Sequence, residues 1–456
     1  MHYKLNDLAG KSGDLFIQAF KDIPKETSSL DISKSSLFKR PVAEIIEAFK
    51  YLPAGLGRLD AGNNGLGHKP TVELIQIFTA IPATNLSVLN VTKNGLGQKI
   101  GHDFTKIINS FPKTLHTLNL QDNALGNMFG AKLVEVSTSI PENITTLDLG
   151  NNDLGTRNAA DVIDALRSFH KNLTTLGLSN NMLHEMFTPE LATVFEALPP
   201  NIKNLDLKSN VFGKKPGIEF AATLDAIPET VESLDLSWNH LGNNDHEELN
   251  NIFDAIPPGV TSLYLNNNNF FKNDPPAVLI EALSYIPEHV RFIDLNQHKP
   301  LNKTPDELVQ ILVNVPDTVK KVLIDKKCIN LKRLREIATL EQMIDSEITR
   351  LQPSRSIEGS FLVSFGLVES SDTKIKAYED LRAVLYNGAL ADTDLNDFQN
   401  NINSWLTNNR QCITRQRNTF HSFFEPGHKT LASKAVNDIF DMLSLMDTAF
   451  IRPQLL

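Results

Sequence analysis

Cysteine is almost missing. The chain has two, Cys328 and Cys412, in 456 residues. That is too few for the disulfide framework of an extracellular repeat protein, and it points to a reducing compartment at the working site. A basic excess is missing as well. The net charge is −10, which argues against nucleic acid or an anionic membrane surface as partner, since both attract basic proteins. No apolar run approaches the roughly 18 residues a membrane helix needs, so membrane insertion is not expected. The opening Met1-His2-Tyr3-Lys4-Leu5 lacks the basic start and apolar stretch of a Sec signal peptide.

Signatures of catalysis are equally thin. Walker A and nucleophile-elbow sequences are absent. Gly62-Asn63-Asn64-Gly65-Leu66-Gly67 imitates a dinucleotide glycine motif, but Asn94-Gly95-Leu96-Gly97 echoes it as part of a repeat. His184-Glu185 opens a zinc-protease motif that Thr188 breaks, because a second histidine belongs there. His240, Asp245 and His246 share one loop and form only a weak metal-ligand set. Cys412, with Arg410, Arg415 and Arg417 nearby and His421 and His428 downstream, reads as an inert thiol before it reads as a nucleophile. The expectation is a protein that is not an enzyme and uses no metal and no cofactor.

What is abundant is repetition. Asn64, Asn94, Asn123, Asn152, Asn181, Asn210, Asn239 and Asn268 recur every 29 residues, or 30 for the first step, each five residues after a leucine. A fixed period of this size marks a stacked repeat. The strand-starting residues are Leu30, Leu59, Leu89, Leu118, Leu147, Leu176, Leu205, Leu234 and Leu263, continued by Ile293 and Val322. An apolar residue follows two positions later, with Ala61 the small exception, so each copy reads as a short strand with one face buried. The second half of each copy changes to a helical period, as in Val72, Leu74-Ile75 and Phe78, and most copies end at a proline such as Pro82, Pro112 or Pro141.

With the frame Leu-x-Leu-x-x-Asn-x-Leu-Gly, as in Leu147-Asp148-Leu149-Gly150-Asn151-Asn152-Asp153-Leu154-Gly155, the chain resembles the leucine-rich repeat family. It is similar to the ribonuclease-inhibitor-like class, whose copies carry a full helix. The resemblance implies an α/β fold, a right-handed solenoid. Strands stack about 4.8 Å apart and helices need about 8–10 Å, so such a stack bends into a horseshoe with the parallel sheet on its concave face and the helices on its convex face. Residues 1–22 are expected to form a helical cap, 23–330 eleven repeats, and 331–456, where the period is lost, an all-α C-terminal domain of four to six helices.

The asparagine column reads as structural, a buried ladder bonding loop backbone. Function is expected on the concave face. The outward residue between the two core positions is Asp31, Asp60, Asn90, Asn119, Asp148, Gly177, Asp206, Asp235, Tyr264, Asp294 and Leu323 in turn. This acidic stripe fits two readings, attraction of a basic partner or simple solubility. Aromatics interrupt it at Tyr264 and Phe292, with Trp238 at the end of the strand before. These fit partner anchors or docking of the C-terminal helices, a choice that Leu323 tilts toward docking at that end. The candidate partner-binding set is therefore Trp238, Tyr264, Phe292, Asp148, Asp206, Asp235 and Asp294. A basic rim is expected from Lys39-Arg40, His68-Lys69, Lys99, Arg157, Lys214-Lys215 and Lys272, solvated in the simplest reading.

Long repeats of this class, scarce cysteine and a helical tail resemble the effectors that intracellular bacterial pathogens inject into host cells. The apolar residues in Phe450-Ile451-Arg452-Pro453-Gln454-Leu455-Leu456 are compatible with a type IV translocation signal. The resemblance implies a virulence protein secreted by a non-Sec route into the host cytosol, a monomer that binds a host protein, basic in one reading, by its concave face. The alternative is a substrate-recognition solenoid coupled to a C-terminal catalytic or ubiquitin-ligase-adaptor domain.

Overall fold

The computed structural model describes residues 1–409 except 83–84, 100, 129, 271–275, 298–302, 304, 325, 352–370, 391–399, 403 and 406–407. The chain divides into two compact units, Met1–Asn302 and Lys303–Leu456. The repeat boundary expected near residue 330 falls inside the second.

In the first unit, eleven strands run parallel and pair in sequence order. They are β1 (His2–Lys4), β2 (Ser29–Asp31), β3 (Arg58–Asp60), β4 (Val88–Asn90), β5 (Thr117–Asn119), β6 (Thr146–Asp148), β7 (Thr175–Gly177), β8 (Asn204–Asp206), β9 (Ser233–Asp235), β10 (Ser262–Tyr264) and β11 (Phe292–Asp294). From β2 onward the central residue is the leucine or isoleucine of the register and is buried, and so is the apolar residue just past each strand. Helices return the chain to the next strand: α1 (Asp14–Lys21), α2 (Val42–Phe49), α3 (Thr71–Thr79), α4 (Gly101–Asn109), α5 (Ala131–Ser139), α6 (Ala159–Arg167), α7 (Thr188–Glu196), α8 (Gly217–Leu224), α9 (His246–Asp254) and α10 (Pro276–Ser284). Each turns an apolar stripe inward, and rings such as Phe20 and Phe49 meet between neighbouring copies, with centroids 5.9 Å apart.

Residues 1–22 hold more than the helix expected of a cap. They form a shortened copy of the repeat. β1 pairs with β2 through Tyr3 and Leu30, Leu5 and Leu8 are buried, and α1 follows. Tyr3 replaces the leucine, and the step to Leu8 is five residues where Leu30 to Leu37 is seven. The asparagine position is therefore skipped, which hides this copy from a search by period.

The asparagine column holds the loops. Asn152 shows the pattern. Its Oδ1 accepts the backbone N–H groups of Asn123 (3.0 Å) and Leu125 (3.1 Å) in the preceding copy. Its Nδ2 donates to the carbonyls of Leu120 (3.2 Å), Leu149 (2.9 Å) and Gly150 (3.1 Å). All eight ladder asparagines are at most 2% exposed, so these loop groups have no water to turn to. The residues on either side of the asparagine are left-handed, for example Asn151 (φ 53°) and Asp153 (φ 59°). The Leu-Gly signature has its own cause. A Cβ on Gly67 would sit 2.2 Å from the carbonyl oxygen of Gly95, and one on Gly97 2.3 Å from that of Ala124. A side chain at either place would push the next loop away.

A second ladder was not legible in advance, and it corrects the expected rim. Lys69 Nζ donates to the carbonyl of Arg40, Lys99 Nζ to that of Lys69 and Lys215 Nζ to that of Met186, each at 2.7 Å. Arg40 reaches the carbonyl of Leu8. Arg40, Lys69 and Lys215 are buried. They cross-link copies instead of lining a solvated rim, and of the described rim residues only Lys39, His68 and Lys214 are exposed. A stem of four methylenes packs well against apolar neighbours while its tip finds a carbonyl. Lys272 lies outside the described residues.

In the second unit, α11 (Pro305–Val313) precedes a hairpin of β12 (Lys321–Ile324) and β13 (Lys327–Asn330), paired antiparallel through Val322–Ile329 and Leu323–Cys328. The copy expected to start at Val322 thus turns back on itself, and Lys327, taken as its asparagine position, starts a strand. Two long helices follow, α12 (Leu331–Leu351) and α13 (Ser371–Leu390), with further helical residues within 400–409. The helices expected near 411–424 and 429–450, together with Cys412, His421, His428 and the C-terminal heptapeptide, lie outside the described residues.

Asn152→Ala should lower stability by about 2–5 kcal/mol, because it strands buried donors and acceptors on two loops. Asn158→Ala removes only the exposed cap of α6, where the side chain accepts from Ala160 N–H, and should cost about 1 kcal/mol. Urea midpoints measure both, and faster hydrogen exchange at Asn123 and Leu125 should single out the first.

Candidate functional site on the strand face

The stripe has a role in the fold that neither reading of the sequence anticipated. In eight described strands the outward Asp or Asn uses Oδ1 to accept the backbone N–H two residues on, at 2.8–2.9 Å: Asp31, Asp60, Asn90, Asn119, Asp148, Asp206, Asp235 and Asp294. This turn bonds the first backbone N–H of the loop and steers the chain out of the strand. Gly177 and Tyr264 cannot make it.

The second carboxylate oxygen is left for other work. At β2 it holds a cation, since Lys4 Nζ lies 2.9 Å from Asp31 Oδ2. Burial pushes the Asp31 carboxyl up, but its bonds to Ser33 and Lys4 outweigh this and hold it below its ordinary value. At β6 it accepts from Asn119 Nδ2 at 3.0 Å. Burial raises Asp148 despite that bond and the one from Gly150. Asp206 is pushed up to about 6, by burial first and then by the neighbouring charges of Asp235 and Asp148, against the bond from Lys208. Asp294, buried at 8% exposure, is also raised by burial. The middle of the stripe therefore keeps negative charge at a cost to the fold.

Two of the three aromatic residues meet. Tyr264 and Phe292 meet edge to face with ring centroids 5.5 Å apart, both half-buried. In register, Tyr264 lies between Asp235 on β9 and Asp294 on β11. Trp238, in the loop after β9, is 38% exposed and left-handed at φ 58°. Other copies put Lys34, Asn63, Asp122 or Ser209 at that place. A bulky aromatic there carries a backbone strain of roughly 1–2 kcal/mol. Leu323, also predicted outward, is half-buried on the β12–β13 hairpin.

The weak catalytic candidates take structural places. Asp245 caps α9 by accepting Glu248 N–H at 2.9 Å, His246 begins that helix, and His240 Nδ1 meets Asn269 Nδ2 at 3.2 Å. His184 pairs with Glu185 at 2.9 Å. Among the described residues no group of three or more His, Cys, Asp and Glu side chains is placed to hold a metal ion, and no helix is long and apolar enough to cross a membrane.

The raised Asp206 carries a linkage signature. Between its unfolded value near 3.8 and about 6 the folded state binds more protons than the unfolded one, so this group's contribution to stability falls as pH rises through that window. Asp206→Asn keeps the turn, as Asn90 and Asn119 do, and removes the charge. The variant should be more stable than the parent by about 1–2 kcal/mol at pH 7, and the gap should close below pH ~4. Urea denaturation at both pH values measures it.

No protein-family model matches the chain, and no curated protein matches it. Among solved structures, the chain is similar to the leucine-rich repeat-containing protein LegL7 from Legionella pneumophila, at 28% identity and a TM-score of 0.54, over 74% of this chain and 97% of that one. The repeated strand, loop and helix, the buried asparagine ladder and this likeness together lead to one conclusion: the chain is a leucine-rich-repeat protein.

Proposed function

We propose that this is a non-enzymatic binding protein that holds a partner protein on its strand face, around Tyr264, Phe292 and Trp238. The observation that carries the reading is the position of Tyr264, an aromatic ring placed in register between two carboxylates where eight other copies keep a turn-forming Asp or Asn. Surface aromatics on a rigid sheet supply area at little entropic cost, and the flanking charge favours a basic partner. The source of its structural neighbour and the scarcity of cysteine support delivery into a host cytosol as a bacterial effector, by a type IV route, with a host protein as target.

Tyr264→Ala/Phe292→Ala should reduce recovery of the specific partner from host-cell lysate at least about ten-fold, the loss of two anchors; undiminished recovery sinks the site. Trp238→Asn should weaken capture too, while leaving the thermal midpoint unchanged or slightly higher, because asparagine tolerates the left-handed conformation. A variant that loses stability instead would mean that Trp238 serves the fold.

A further inference from the structure

The partner-binding reading leaves open what chemical group sits on Tyr264. Three strands frame it. Asp235 and Asp294 flank it in register, and Phe292 closes one side with its edge. The remaining outward neighbours are Ser233, Ser237, Ser262, Asn266 and Asn296, the last of which bonds Asp294 with its side chain, so none of these neighbours is a cation. Asp235 spends Oδ1 on Ser237, through N–H and hydroxyl, and its Oδ2 takes no hydrogen bond among the described residues. Asp206, next in the stripe, is likewise bonded only through Oδ1.

The chain shows what such a carboxylate does when a cation is within reach. Asp31 keeps its turn with Oδ1 and binds Lys4 with Oδ2. It also shows how an arginine meets a ring here, since the Arg40 guanidinium lies 3.9 Å from the Phe16 centroid. Resting on the partner-binding reading, we infer that the strand face at Tyr264 takes an arginine side chain from an extended segment of the partner, with the guanidinium on the Tyr264 ring and its two edges donating toward Asp235 and Asp294. Strands lie about 4.8 Å apart, so the two carboxylates stand roughly 10 Å apart with the ring between them. A planar fork with donors on both edges spans such a gap and stacks on a ring. A compact ammonium reaches one side at a time.

The test uses the full chain and three acetylated, amidated peptides, Ser-Gly-Arg-Gly-Ser and its lysine and citrulline counterparts, titrated by calorimetry. The arginine peptide should bind saturably, and citrulline, which keeps the shape without the charge, should bind at least about ten-fold more weakly, with lysine between. Asp235→Asn/Asp294→Asn should weaken the arginine peptide by a similar factor without lowering the thermal midpoint, because Asn90 and Asn119 already make the same turn. Equal affinity for arginine and citrulline, no saturable binding of the arginine peptide, or an unchanged affinity in the double Asn variant each overturns the inference. If any of these occurs while Tyr264→Ala/Phe292→Ala still abolishes partner capture, the binding surface stands and only the arginine assignment falls. Undiminished capture by that variant removes the surface itself.

Discussion

Strands of three residues leave a shortage of backbone partners. The sheet ladder ends almost as soon as it begins, and the loops beyond it enter the interior with their polar groups still open. A buried asparagine meets them with five hydrogen bonds in the case of Asn152, three to the copy before and two to its own loop. Everything else in the first unit is arranged around that constraint. Two left-handed residues flank each asparagine because its side chain must turn inward between them. Glycine follows the loop leucine because the next loop lies on top of it. The buried lysines and Arg40 repeat the device farther along the loop with a longer arm.

The same economy governs the stripe. Each stripe aspartate gives one oxygen to the turn after its strand, which leaves the other for a second partner, such as Lys4 at Asp31 or Asn119 at Asp148. Asparagine suffices for the first task, as Asn90 and Asn119 demonstrate. The charge at Asp206 and Asp235 is thus additional to what the turn requires, and at Asp206 it opposes folding at neutral pH. Trp238 departs from its counterparts in another way, putting a bulky aromatic in the left-handed place where Lys34, Asn63, Asp122 or Ser209 stand in other copies.

The scaffold was legible in the sequence because its rules are periodic. The leucines and asparagines announce themselves by spacing, and β2 to β12 fall where the spacing puts them. Features that break the period were harder to read. The first copy skips the asparagine and opens on Tyr3, and the hairpin at β13 replaces a further parallel copy, so both escaped. The aromatic cluster was visible, because outward positions follow from the register. The burial of Lys69 and Lys215 was not, since a lysine in a loop has the same appearance whether its tip meets water or a carbonyl. The turn made by each stripe aspartate was hidden for a related reason. Leu-Asp-Leu in a strand suggests an exposed charge, and only backbone geometry reveals the N–H two residues on.

The asparagine ladder has a direction. Each side chain serves its own loop and the copy before it, and none reaches the copy after it: Asn64 serves Ser35 and Leu37, Asn94 serves Asn64 and Leu66, and so on along the stack. A ribosome makes the chain in the same order, and N-terminal segments fold first. Every copy that emerges therefore completes the one already made, and a half-synthesised chain carries only one row of open loop groups, at its growing end.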